Sequence, residues 1–156
     1  LLDGLSKTFA MTGWRLGYGV WPSSIIDIAE RLAINSHSCV STPTQYAGLA
    51  ALNGPQEAVK NMVTSFDERR SVILKGLNNI SGVKCFGSAG AFYAFANIKE
   101  TGMSSREFQN KVLEEAGVAT ISGTSFGKFG EGYVRFSFAN SRENILSAID
   151  RIRKLI

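Results

Sequence analysis

The sequence is poor in several residue types and patterns, and each shortage closes off a class of function. Its 156 residues hold two cysteines, Cys39 and Cys85, and one histidine, His37. Two cysteines without metal-like spacing argue against a disulfide framework and point to a reducing compartment. His37 has no Asp, Glu or Cys at ligand spacing, so no metal is expected. A nucleotide P-loop is excluded, because no G-x-x-x-x-G-K-S/T occurs. No apolar run approaches the roughly 18 residues of a membrane span, and nothing reads as a signal peptide. The 17 Lys and Arg against 13 Asp and Glu give a net charge of +4, but the basic residues are scattered. Their densest run, Arg151 to Lys154, lies on a predicted helix and reads as a solvated face. The expectation is therefore a cytoplasmic protein with neither membrane nor nucleic acid as partner.

What remains is an ordinary globular composition, 44% hydrophobic and 19% charged. At this length a domain hides roughly two-thirds of its unfolded surface. There is no internal repeat and no low-complexity linker. The chain begins LLDGL, without Met and with an apolar run leading straight into a motif; it is expected to be a fragment of a longer protein.

Periodicity outlines the elements. Arg15 to Trp21 reads as a short strand ending at Pro22. Ser23 or Ser24 then caps a helix on which Ile25, Ile28, Ala29 and Leu32 recur at helical spacing. After the loop NSHSCVSTP, a second helix starts near Pro43, since proline suits a first turn, and stops at Asn53–Pro55. A long helix follows over about 56–77, with Val59, Met62, Val63, Phe66, Arg70, Ile73 and Leu77 on one face. That stripe reads as core, and its length is also enough to bridge two domains. Strands are predicted over Val83–Phe86, Ala91–Ile98, Val118–Ile121 and Gly132–Phe138. Between the second and third lies a helix opened by a capping box from Ser104 to Glu107. Phe108, Val112, Leu113 and Ala116 form its apolar face, and Gly117 its C-cap. A last helix from about Arg142 carries Ile145, Ala148, Ile149, Ile152 and Ile156. The order makes an α/β or α+β arrangement, a modest sheet covered by helices.

Two stretches carry chemistry. In GLSKTFAMTGWRLGY, Gly4 to Tyr18, Lys7 is either a solvated charge or a nucleophile that forms a Schiff base with a carbonyl compound. The second role needs the neutral amine, which burial or nearby positive charge favours. The Arg15 fork of donors suits a phosphate dianion. Ser6 and Thr8 add hydroxyls, and Gly13 and Gly17 permit close backbone approach. A cofactor with both an aldehyde and a phosphate, such as pyridoxal phosphate, matches this set. In GYVRFSFA, Gly132 to Ala139, alternation puts Val134, Phe136 and Phe138 on one face and Tyr133, Arg135 and Ser137 on the other. Arg135 is either a surface arginine or a clamp for a carboxylate.

The pattern S-K-T-x-x-x-x-G-x-R-x-G, from Ser6 to Gly17, resembles the cofactor-lysine segment of class I/II aminotransferases, the aspartate aminotransferase family of fold type I pyridoxal-phosphate enzymes. GYVRFSFA is similar to that family's arginine strand, ISGTSFG to the loop before it, GAFYAF to an inner strand, and GPQEAV with ERR to the helix joining its two domains. The resemblance spans the chain but only the later part of the family's length. It implies residues 1–70 as the end of a large cofactor domain and 71–156 as a small C-terminal α+β domain, with the 56–77 helix in both. It implies that Lys7 binds the cofactor as a Schiff base and shuttles protons, that Ser6 and Arg15 contact the cofactor phosphate, and that Arg135 binds the substrate's α-carboxylate. Phe92 or Tyr93 lines the substrate pocket or serves as core. One departure is Gly4, which stands where many members have the first serine of S-x-S-K, so one phosphate hydroxyl contact is absent. The implied activity is transfer of an amino group between an amino acid and a 2-oxo acid, in a homodimer. Another fold type I reaction, such as a β-lyase, and a non-catalytic fragment remain alternatives. The residues expected to hold the pyridine ring lie upstream in the family, so these 156 residues alone are expected to have little or no transaminase activity.

Overall fold

Glycine and proline punctuate the first third of the chain, and the backbone turns where they stand. A computed structural model describes residues 1–87 and 89–156. They form two compact units, Leu1–Met62 and Val63–Ile156, divided within one long helix. No helix among the described residues is long and apolar enough to cross a membrane.

In the first unit, strands β1 (Leu2–Gly4) and β2 (Gly17–Gly19) pair antiparallel, Leu2 opposite Gly19 and Gly4 opposite Gly17. Gly17 is needed for that approach, because a Cβ there would stand 3.0 Å from the Asp3 carbonyl oxygen. A Cβ at Gly13, by contrast, would meet nothing within 4 Å, so no close backbone approach is made there among the described residues. Between the strands run a one-turn helix, α1 (Leu5–Thr8), and a 3₁₀ turn, Thr12–Trp14. The strand predicted from Arg15 shortens to three residues, because Arg15 is left-handed and the Leu16 carbonyl accepts the Leu5 N–H at 3.1 Å.

Helix α2 (Ile26–His37) follows a 3₁₀ turn at Ser23–Ile25, and neither Ser23 nor Ser24 caps it. Its apolar stripe buries no residue. Helix α3 (Thr42–Asn53) has its proline in the first turn and ends where Gly54 donates its N–H to the Ala50 carbonyl at 2.8 Å. Gly48, in its middle, leaves room for the Leu16 and Leu5 side chains. That contact seats both ends of the lysine–arginine segment on α3.

Helix α4 (Glu57–Asn78) enters the second unit. Its contact with the core begins at the partly buried Phe66 and is completed by the buried Ile73 and Leu77, whereas Val63 is 62% exposed. Three strands, β3 (Tyr93–Asn97), β4 (Ile121–Ser122) and β5 (Tyr133–Ser137), form an antiparallel sheet of order β3-β5-β4. The predicted strand at Val83–Phe86 is reduced to one bridge, Lys84 to Asn97. Its ladder stops because the Asn78 side chain takes both backbone groups of Cys85, accepting the N–H and donating to the carbonyl, each at 2.9 Å. A side-chain amide thus does what a neighbouring strand would do.

One sheet face is the core: Ala94, Ala96, Val134 and Phe136 lie against α4, α5 (Ser105–Ala116) and α6 (Arg142–Leu155). Phe108 and Val112 of α5 and Ile145, Ile149 and Ile152 of α6 are buried as their spacing predicts, but Leu113 faces out. The expected capping box is present. The Ser104 side chain accepts the Glu107 N–H, the Glu107 carboxylate accepts the Ser104 N–H, and Gly117 closes the helix at φ +63°.

Candidate active site

The short α1 presents Lys7 on its exposed last turn, with buried Leu5 as the anchor two residues earlier and Ser6 half-buried between them. The Lys7 carbonyl accepts the N–H of Ala10, which is left-handed at φ 53°. Arg15 is also left-handed, at φ 53° and ψ 48°. For residues with a Cβ this costs roughly 1–3 kcal/mol each, and such positions gather at functional sites. Nothing in the sequence signals these two turns, since neither residue is Gly or Asn.

The Arg15 Nη1 donates to the Thr12 carbonyl at 3.1 Å, folding the guanidinium over the 3₁₀ turn. Arg15 lines a cavity of about 500 Å³ together with Trp14, His37, Ser41 and Thr44. Ser41 and Thr44 escaped the sequence reading, which weighed His37 only as a metal ligand. No carboxylate lines this cavity among the described residues. Asp3, the acid nearest to Lys7 in sequence, is engaged: its Oδ1 accepts the Gly4 N–H at 2.7 Å and its Oδ2 the Tyr18 hydroxyl at 3.2 Å. The Asp3 charge is also the main cause that raises Tyr18 above the usual tyrosine value. The segment thus offers an amine, hydroxyls and a guanidinium, the donor set that fits a phosphate-bearing aldehyde.

Arg135 lies in the second unit, on the outer face of the sheet, with Phe95 opposite it on β3 and Ile121 opposite it on β4. The predicted alternation of β5 holds, with Val134 and Phe136 buried inward. Arg135 is half-buried, and its guanidinium sits 4.2 Å from the Tyr93 ring centre and 4.7 Å from that of Phe126. It makes no hydrogen bond or ion pair among the described residues. Tyr93 and Phe92 separate cleanly: Phe92 packs against the core, and Tyr93 turns to Arg135. Phe126, in the 3₁₀ turn Gly123–Phe126, was missed. Its only sequence signal is its place in the loop nine residues before Arg135.

The loop between α5 and β5 is held by Ser105, whose side chain is fully buried. Its Oγ accepts the Gly132 and Tyr133 N–H groups at 2.8 and 3.1 Å and donates to the Gly130 carbonyl at 3.3 Å. Glu131 accepts the Ser105 N–H at 2.8 Å, and this bond is the main cause that lowers it below the usual glutamate value.

Comparison with known proteins places these features in a class. An aromatic aminotransferase of solved structure from Pyrococcus horikoshii superposes with a TM-score of 0.93 at 41% identity, over 98% of this chain and 41% of that one. The fold is that of the fold type I aminotransferases. An aspartate aminotransferase of Pyrococcus horikoshii is 45% identical over 100% of this chain and 40% of its own length, and aromatic-amino-acid aminotransferase 2 of Thermococcus litoralis is 40% identical over 99% and 40%. The family model for aminotransferase class I and II matches residues 1–152, and the chain belongs to that family. It spans about two-fifths of the length of the relatives it matches.

Proposed function

We propose that the protein carrying this chain transfers amino groups between α-amino acids and 2-oxo acids with pyridoxal phosphate. The observation that carries this reading is Arg135, whose guanidinium is held by ring contacts while its donors meet no acceptor among the described residues, in a family whose members act on α-amino acids. Those donors stay open to a ligand, and a substrate carboxylate would take two of them in a bidentate pair.

Pyridoxal phosphate, when bound, supplies an aldehyde that condenses with amines and a ring that accepts the electron pair left at the α-carbon. Lys7 supplies the amine that holds the cofactor between turnovers and, as a neutral base, takes the proton from the substrate's α-carbon. Ser6 and Arg15 donate to the phosphate. Arg135 holds the α-carboxylate and so fixes which bond at the α-carbon is broken. Relatives named for aspartate and for aromatic amino acids share the α-amino acid core, and the proposal extends to that core. Residues 1–70 are read as part of a large cofactor domain and 71–156 as a small domain. A homodimer in the reducing cytoplasm completes the reading, and the 156 residues alone are read as having little or no turnover.

The test is to mix the chain with pyridoxal phosphate, reduce with borohydride and map the added mass, with Lys7→Ala as control. Label confined to the Lys7 peptide and lost in the variant supports the reading. Label spread over many lysines and unchanged in Lys7→Ala overturns it.

A further inference from the structure

We infer that Tyr93 and Phe126 are positioning residues for Arg135: two rings that hold its guanidinium by cation–π contact and leave its N–H donors for a carboxylate. This rests on the carboxylate-binding reading of Arg135 and deepens it.

A guanidinium has two apolar faces and an edge of five N–H donors. Here the centre of that group is 4.2 Å from one ring and 4.7 Å from the other. Both distances are within cation–π range. Neither ring contributes a carboxylate or carbonyl acceptor that would compete for the edge. The guanidinium is therefore held by contacts that use none of its donors, and a planar acceptor with two oxygens matches what remains. Holding the long side chain in one orientation before the ligand arrives also removes ordering entropy from the binding step.

Each ring has its own support, and the supports differ. Tyr93 lies opposite Ser137 in the register, so it reaches Arg135 diagonally across the β3–β5 pair. Its ring also meets Phe92 at 4.5 Å between centres. Phe126 comes from a turn rather than a strand. It meets Phe95 edge-on at 6.2 Å, and Phe95 stacks flat on Tyr133 at 5.3 Å and 5°. The turn is tied by the Ser122–Thr124 hydroxyl pair at 2.7 Å and by mutual close approach of the Gly123 and Gly130 backbones, which no Cβ could enter. Phe126 is itself half exposed, so core packing does not account for its position. A surface arginine would need none of this.

The experiment follows the Arg135 side-chain N–H signals of the 156-residue chain by ¹⁵N NMR, assigned with Arg135→Lys. They are titrated with 3-phenylpropionate as the carboxylate probe and 3-phenylpropionamide as its neutral counterpart. The native chain is expected to show ring-shifted signals that move saturably with the carboxylate. Phe126→Leu and Tyr93→Leu should each return those signals toward free-arginine positions and weaken carboxylate binding about fivefold. Sheet backbone amides should be unchanged, and Phe126→Tyr should restore binding. Native-like titration in both leucine variants overturns the inference. So does equal weakening toward the amide, which would make the rings structural. Failure of Lys7 labelling with an intact ring dependence at Arg135 would remove the aminotransferase reading and leave the clamp standing.

Discussion

Helices α2 and α6 carry almost the same pattern and meet opposite fates. In α6, Ile145, Ala148, Ile149 and Ile152 recur at helical spacing, and the three isoleucines are buried, Ile152 to 1% exposure. In α2, Ile28, Ala29 and Leu32 recur the same way, yet Leu32 is 67% exposed and no residue of the helix is buried. The contrast extends to the units that hold them. Val63–Ile156 has a continuous core drawn from three helices and a sheet. Leu1–Met62 buries Leu5, Met11, Thr44 and Gly48 and leaves Ile28, Ile34, Tyr46 and Leu49 facing out. Periodicity tells which face of an element is apolar; it does not tell whether this chain supplies the cover.

The largest effect that would break this comparison is a matched pair of truncations. Phe108 is fully buried, and Phe108→Ala is expected to cost about 3–5 kcal/mol. Leu32→Ala should change stability by no more than about 0.5 kcal/mol. Urea unfolding read by circular dichroism would show both. A Leu32→Ala loss comparable with that of Phe108→Ala would mean that the stripe of α2 is covered after all.

Much of the fold is legible in the sequence because local rules and tertiary demands agree there. The capping box at Ser104, the proline start of α3, the alternation of β5 and the isoleucine face of α6 are all cases where one short pattern has one physical meaning. The misses have causes as definite. The strand at 83–86 fails because the Asn78 side chain, seven residues before Cys85, takes both backbone groups of Cys85, and no β-propensity reports that. The left-handed turns at Ala10 and Arg15 are invisible because the residues there do not advertise positive φ. At the candidate site, Lys7, Arg15 and Arg135 are nameable from spacing and resemblance, but the rings around Arg135 depend on register. Tyr93 and Phe92 are adjacent in sequence, and only the pairing with β5 decides which turns outward.

A middle-sized effect sharpens the comparison through polar burial. Ser105→Ala removes the acceptor of the Tyr133 N–H and leaves it without a partner inside the second unit, at an expected cost of about 1–3 kcal/mol. Thr44, the buried hydroxyl of the first unit, pairs with the Ser41 hydroxyl at 2.8 Å, three residues away. Thr44→Val should cost less than Ser105→Ala, because a neighbouring hydroxyl on a helix N-terminus is easily satisfied otherwise. Thermal unfolding of the two variants side by side measures the difference. The reverse order would show that the first unit, despite its thin core, depends more heavily on its polar contacts.

The smallest effect lies in how the two units answer to pH. In the second unit Glu131 is lowered, chiefly by the Ser105 N–H, and Glu107 is lowered, chiefly by the Ser104 hydroxyl. A depressed carboxyl stabilises the fold above its unfolded value, and that contribution is lost as pH falls through the folded value. Acid below about pH 4.5 should therefore loosen the second unit, and Glu131→Gln should flatten that part of the profile. In the first unit Tyr18 is raised, chiefly by the charge of Asp3. A raised tyrosine contributes stability that is complete below its unfolded value and is lost as pH climbs through the folded one. Alkali above about pH 10 should then act on the β1–β2 pair, and Tyr18→Phe should remove the effect. All three groups are exposed, so solvent screening keeps both slopes shallow. Urea midpoints measured across the pH range, native against each variant, separate the two ends. An acid slope untouched by Glu131→Gln would mean that the loop before the arginine strand is held by the Ser105 hydroxyl without help from the carboxylate beside it.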